Sequence, residues 1–141
     1  MAITSEATAI WNGDLTGGSG TLNLDSSKAA TFPVNWKARS QGEEGTTNPE
    51  ELLGAAHAAC YSMAFSNILS SFGTAPESIQ TTAAVTFDPA QGITSSHLLV
   101  SASVPGIGEE DFQRLADEAK RTCPVSRALS GIAITLEAEL A

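Results

Sequence analysis

Positive charge is scarce in this chain, and cysteine is scarcer. Seven Lys and Arg face sixteen Asp and Glu, for a net charge of −9. The basic residues run from Lys28 to Arg127, and only Lys120–Arg121 are adjacent. Nucleic-acid binding needs a basic face, so it is excluded as an expectation, and so is an anionic membrane surface. The opening MAITSEATAI has no basic region ahead of an apolar run, so no secretory signal is expected. Only Cys60 and Cys123 carry thiols. With no leader expected, they point to a reducing, cytoplasmic compartment, where a lasting structural disulfide is not expected and a transient one would be functional.

Charge also disappears locally. From Leu52 to Pro76 no Asp, Glu, Lys or Arg occurs, and Ala, Leu, Met, Phe and Ile point in nearly every direction of a helical wheel. Such a helix is buried on all sides, in a protein or in a membrane. His57, Asn67, the serines and the lack of flanking Lys or Arg argue against a membrane span. Asn48 or Thr47 caps this helix, Pro49 stands just inside it, and Glu50 and Glu51 suit the positive end of its dipole. Gly73 and Pro76 end it.

Around this helix, over 48–72, the 141 residues read as one domain, 1–141. Strand content lies at 5–14 and 20–26 across a Gly-rich turn, and at 31–39, where Phe32, Val34 and Trp36 alternate. Strands are expected at 78–88, 93–104 and 132–140, and helices at 109–122 and 124–130. The order β-β-β-α-β-β-α-α-β gives an α+β domain, with an antiparallel sheet wrapped around a long central helix. A small sheet cannot cover a helix so apolar. A second subunit is the expected cover, approaching over Gly54, Ala55, Ala58 and Ala59.

Several residues carry chemistry, each with a plainer reading beside it. Cys60 is either a small core residue or a nucleophile. Cys123 stands at a helix break before Pro124, where the N–H groups of the next helix would favour a thiolate, and Cys123 shares the buried side with Phe112. The two cysteines are 63 positions apart, so only the fold can bring them together. A reactive thiol needs a cation. Arg39, placed at the end of the third strand, is the candidate, with Glu50 as the carboxylate that orients it. Alternatively Arg39 is a solvated strand end and Glu50 serves only the helix dipole. His57 reads as a hydrogen-bonded core histidine and His97 as a solvent-facing strand residue. These two with the cysteines lack the close ligand spacings of zinc motifs, so no metal or cofactor is expected.

The block GTTNPEELLGAAHAACYSMAFS at 45–66, Arg39 upstream and CPVSRAL at 123–129 closely resemble the OsmC/Ohr family of osmotically inducible and organic hydroperoxide resistance proteins. The segments IWNGDLTGGSGTLNLD and SVPGIGEEDFQRLADEAKRTCPVS resemble the OsmC branch, so the likeness spans the whole chain. The resemblance implies an intertwined homodimer and a thiol peroxidase reducing organic hydroperoxides, and hydrogen peroxide less efficiently, in oxidative and osmotic stress. It assigns Cys60 as the peroxidatic cysteine, Cys123 as the resolving one, Arg39 as the activating arginine and Glu50 as its partner. An external dithiol, lipoyl-bearing or thioredoxin-like, would reduce the resulting disulfide. Leu53, Met63 and Phe65 are expected to line an apolar substrate site. The loop Gly45-Thr46-Thr47-Asn48 is one Thr longer than the family's usual Gly-Thr-Asn-Pro, which bears on how Arg39 meets Glu50. The competing reading is a non-enzymatic stress module that binds apolar ligands in the same pocket.

Overall fold

A computed structural model describes all residues, Met1–Ala141. The elements are β1 (Thr8–Asn12), β2 (Ser19–Asn23), β3 (Thr31–Val34), α1 (Trp36–Ser40), α2 (Pro49–Phe72), β4 (Ser78–Asp88), β5 (Gly92–Ser103), α3 (Glu109–Thr122), α4 (Pro124–Ala128) and β6 (Ala133–Leu140). The α+β class holds. The chain divides into two compact units, Met1–Leu52 and Leu53–Ala141, and α2 begins in the first and continues through the second.

The first unit is an antiparallel sheet in the order β1-β2-β3 with α1 and the start of α2. Its hairpin turn is built on Asp14, whose Oδ1 accepts from Gly17 N at 2.7 Å and whose carbonyl accepts from Gly18 N at 3.0 Å. A Cβ at Gly18 would lie 2.3 Å from the Asp14 carbonyl oxygen, so the turn closes only around glycine. The expected third strand over 31–39 is corrected here, because pairing stops at Val34. Asn35 captures the Ala38 N–H with its side chain at 2.7 Å and caps the one-turn helix α1. The Phe32–Val34–Trp36 alternation therefore ran past the strand's end, and Arg39 rides on a helix rather than a strand.

The second unit is a sheet in the order β4-β5-β6, with most of α2 and all of α3 and α4. The β4–β5 pair is antiparallel, with a bulge between Thr86 and Phe87. The β5–β6 pair is parallel, which corrects the expectation of an all-antiparallel sheet. Two helices intervene between β5 and β6, enough chain for the crossover that parallel pairing requires.

Along α2, Gly54, His57, Tyr61, Phe65 and Leu69 form the buried stripe. Tyr61, Phe65 and Leu69 pack with Leu98, Val100 and Ala102 of β5 and with Phe112, Leu115, Ala116 and Ala119 of α3. The Phe65 ring lies 5.6 Å from Tyr61 and 5.5 Å from Phe112, tilted to both, as the ring quadrupoles favour. Gly73 (φ 104°) ends α2, where Thr74 N reaches back to the Leu69 carbonyl at 3.0 Å.

Within the single chain α2 is buried on this side only, and its other face is left open, where a second subunit was the expected cover. Met63 is 73% exposed, and Ala55, Ala56 and Ala59 are exposed with it. By length and hydropathy α2 could cross a bilayer, a test that core helices also pass. Gly54 serves an approach other than the one expected of it. A Cβ there would stand 2.9 Å from the Ala83 carbonyl oxygen, so its missing side chain admits β4.

Candidate functional site

Two groups of candidate residues come together, one in each unit. In the first unit, Arg39 donates through Nε and Nη2 to the same Glu50 oxygen, Oε1, at 3.0 and 2.8 Å. The Glu50 side chain is 8% exposed and that of Arg39 30%, so a largely buried carboxylate meets a partly solvated cation. The geometry is set from both sides. Asn48 caps α2 by accepting the Glu51 N–H at 2.8 Å, and its side-chain amide donates to the Ala38 carbonyl of α1 at 3.3 Å. The α1 residue beside Arg39 is thus tied to Asn48, the residue that caps α2 two positions before Glu50.

The longer loop is accommodated without loss of this contact. Thr47 N donates to the Pro33 carbonyl at 3.1 Å, Thr47 forms a bridge with Val34, and its hydroxyl donates to Glu51 at 2.6 Å. The 45–48 segment is thereby sewn to the end of β3. A cavity of about 350 Å³ opens beside the pair, lined by Arg39 and by Trp11, Leu15, Leu22, Val34, Trp36, Pro49 and Leu52 among others. Its walls are almost wholly apolar. The expected lining of Leu53, Met63 and Phe65 is corrected. Phe65 is sealed into the core of the second unit while Met63 is exposed, because two residues on a helix turn through about 200°.

In the second unit the fold brings together Cys60 and Cys123, 63 positions apart in sequence. Both are free thiols, Cys123 fully buried and Cys60 partly so. Cys123 caps α4 and follows α3 directly, its N–H still donating to the Ala119 carbonyl at 2.9 Å. Burial pushes the Cys60 thiol above its ordinary value and the neighbouring Cys123 adds to this, while a hydrogen bond from the Val125 backbone N–H works the other way. Within this unit the groups that act on Cys60 include no cation.

One turn before Cys60, His57 is the hydrogen-bonded core histidine that the sequence led us to expect, but its partners were not foreseen. His57 is fully buried, with Nδ1 2.7 Å from Ser96 Oγ of β5 and Nε2 2.8 Å from Ser126 Oγ of α4. Burial lowers its pKa, so the ring is neutral. With both nitrogens engaged by serines it has none left for a metal. Spacing could not show this, since the three residues come from 57, 96 and 126. His97 lies on the open face of the sheet, bonded to Thr135 Oγ1 and to Glu137 Oε2 at 2.8 Å.

An α+β fold with one thiol on a long apolar helix, a second thiol packed beside it and an arginine–glutamate pair at that helix's start defines a recognisable class. The family model for OsmC-like proteins matches residues 42–137, and the chain belongs to that family. It is 43% identical, over 99% of both chains, to the peroxiredoxin OsmC of Escherichia coli. It is 30% identical to the organic hydroperoxide resistance protein of Xanthomonas axonopodis, over 86% of this chain and 87% of that one. Among solved structures, an organic hydroperoxide resistance protein of Bacillus subtilis matches with a TM-score of 0.71 at 26% identity, over 97% of this chain and 98% of that one. An OsmC protein of Legionella pneumophila matches in fold with a TM-score of 0.73 at 22% identity, over 99% of each.

Proposed function

We propose that this protein is a cysteine peroxidase that reduces organic hydroperoxides. The observation that carries the reading is the meeting of Cys60 and Cys123 in a dry core, in a chain whose relatives are named peroxiredoxin and organic hydroperoxide resistance protein. The Cys60 thiolate attacks the terminal peroxide oxygen and the O–O bond breaks. The alcohol leaves after taking up a proton, and Cys60 becomes a sulfenic acid. The Cys123 thiol then displaces water from it to form a disulfide, and an external dithiol, lipoyl-bearing or thioredoxin-like, returns both thiols.

Arg39 has the role of stabilising the thiolate and the departing alkoxide, held in orientation by Glu50. Burial and the neighbouring Cys123 raise the Cys60 pKa, so the chemistry requires such a cation. The apolar cavity beside Arg39 supports a bulky organic peroxide over hydrogen peroxide. The exposed face of α2, with Met63 at 73%, supports a homodimer, and the two free thiols suit a reducing, cytoplasmic compartment and a role in stress defence. The raised Cys60 pKa also favours the second reading, an apolar-ligand module without catalysis. Peptide mass spectrometry after one equivalent of cumene hydroperoxide separates the two. A Cys60–Cys123 disulfide within one chain is expected, and two unmodified thiols would overturn the peroxidase.

A further inference from the structure

The peroxide chemistry leaves one buried group unused. His57 precedes Cys60 by one helical turn, and its ring spans from β5 to α4 through Ser96 and Ser126. All three side chains are buried, at 0%, 0% and 5% for His57, Ser96 and Ser126. A neutral imidazole has one donor and one acceptor nitrogen, so one serine donates to the ring and the other accepts from it. No buried side-chain polar atom in the molecule is left without a partner.

The end of this chain at α4 matters most. With five residues, α4 is too short for its own hydrogen bonds to hold it in place. Yet it follows Cys123 directly and carries the Val125 N–H that bonds to Cys60. Ser126 is the next residue, and His57 holds it. An apolar side chain could fill the volume of His57, but two directed hydrogen bonds in a dry interior fix one arrangement, because any other leaves a polar group unpaired.

We propose that His57 is a positioning residue for the thiol pair. Through Ser126 it fixes α4, and with it Cys123 and the Val125 N–H, against the turn of α2 that carries Cys60. This inference rests on the reading above only in taking Cys60 and Cys123 as the functional pair.

The test uses no peroxide, so it fails or succeeds separately from the peroxidase assignment. The folded protein is equilibrated in glutathione buffers, where two protein thiols and one glutathione disulfide give one protein disulfide and two glutathione thiols. The equilibrium constant reports how well Cys60 and Cys123 are placed for each other. Ser126→Ala, which cuts the α4 arm, is expected to lower that constant about tenfold, equivalent to about 30 mV. Ser96→Ala cuts only the β5 arm, and His57→Gln keeps reach toward Ser126 alone. Both are expected to stay within about threefold of wild type, although Ser96→Ala loses a hydrogen bond of similar worth to stability. The proposal is overturned if Ser126→Ala stays within about twofold of wild type, or if all three variants weaken the disulfide alike in step with their melting temperatures.

Discussion

One helix carries two polar sites of opposite character. At the start of α2, Glu50 meets Arg39 as a charged pair, with the arginine side chain 30% exposed. Further along, His57 and Cys60 sit among neutral partners, and burial disfavours charge on both. The contrast gives the two sites different chemical capacities. The second unit holds the two thiols against an apolar core, where burial makes the Cys60 thiol resist ionisation. The other unit supplies a permanent cation and an apolar cavity but no nucleophile. The proposed peroxide chemistry gives each a different role, so substitutions at either should fail in different ways.

The largest effect is expected from Cys60→Ser. A serine hydroxyl neither ionises near neutrality nor accepts oxygen from a peroxide, so turnover of cumene hydroperoxide with a dithiol should drop by at least about 10³-fold. Turnover at the wild-type rate would remove the nucleophile from the dry site altogether.

Arg39→Ala attacks the charged site and should slow the peroxide step about 10²-fold, the scale of losing one oxyanion-stabilising donor. Arg39→Lys should recover only part of this, because two N–H groups of one planar guanidinium now bond to Glu50 Oε1 and an ammonium cannot reproduce their geometry. Stopped-flow oxidation and the pH dependence of Cys60 alkylation read the two aspects together. An alkylation profile unmoved by Arg39→Ala would break the link between the sites.

A smaller effect comes from pH on the dry side. The folded pKa of His57 is depressed, so below the ordinary histidine value near 6.5 the unfolded chain binds a proton that the folded one refuses. His57 therefore contributes stability that is present above that value and is lost as pH falls below it. Denaturant melts between pH 7.5 and 5 should show a decline that is shallower in His57→Gln, by at most about 1.4 kcal/mol per pH unit for one proton. Parallel profiles for the two proteins would mean that His57 accepts its proton while folded.

What sequence could show follows the reach of each signal. The long uncharged run bounded by Asn48-Pro49 and Gly73 placed α2 almost to the residue, and the one-sided pattern of Phe112, Leu115, Ala116 and Ala119 placed α3 over 109–122. These signals are local. Asn35 was also a local signal, an N-cap in plain view, but the alternation of Phe32, Val34 and Trp36 outweighed it and put Arg39 on a strand. The parallel pairing of β6 and the Ser96–His57–Ser126 chain have no local signature. They join residues 38 or more positions apart, and only packing decides them.

The smallest expected effect tests whether the dry site is specific in its polar contacts. Tyr61 lies one position after Cys60, fully buried, and its hydroxyl donates to the Ala116 carbonyl of α3 at 2.9 Å. Burial raises its pKa far above the working range, so the hydroxyl stays neutral. Tyr61→Phe keeps the ring and its packing on Phe65 and removes one hydrogen bond. The carbonyl left behind lies inside α3, where the helix's own N–H groups can still serve it, so the loss should be about 1 kcal/mol. The Cys60–Cys123 equilibrium in glutathione should not move, because this bond ties α2 to α3 and not to α4. A variant that loses stability and also weakens the disulfide would show that any bond across the core positions the thiols, and would take from His57 and Ser126 their separate role.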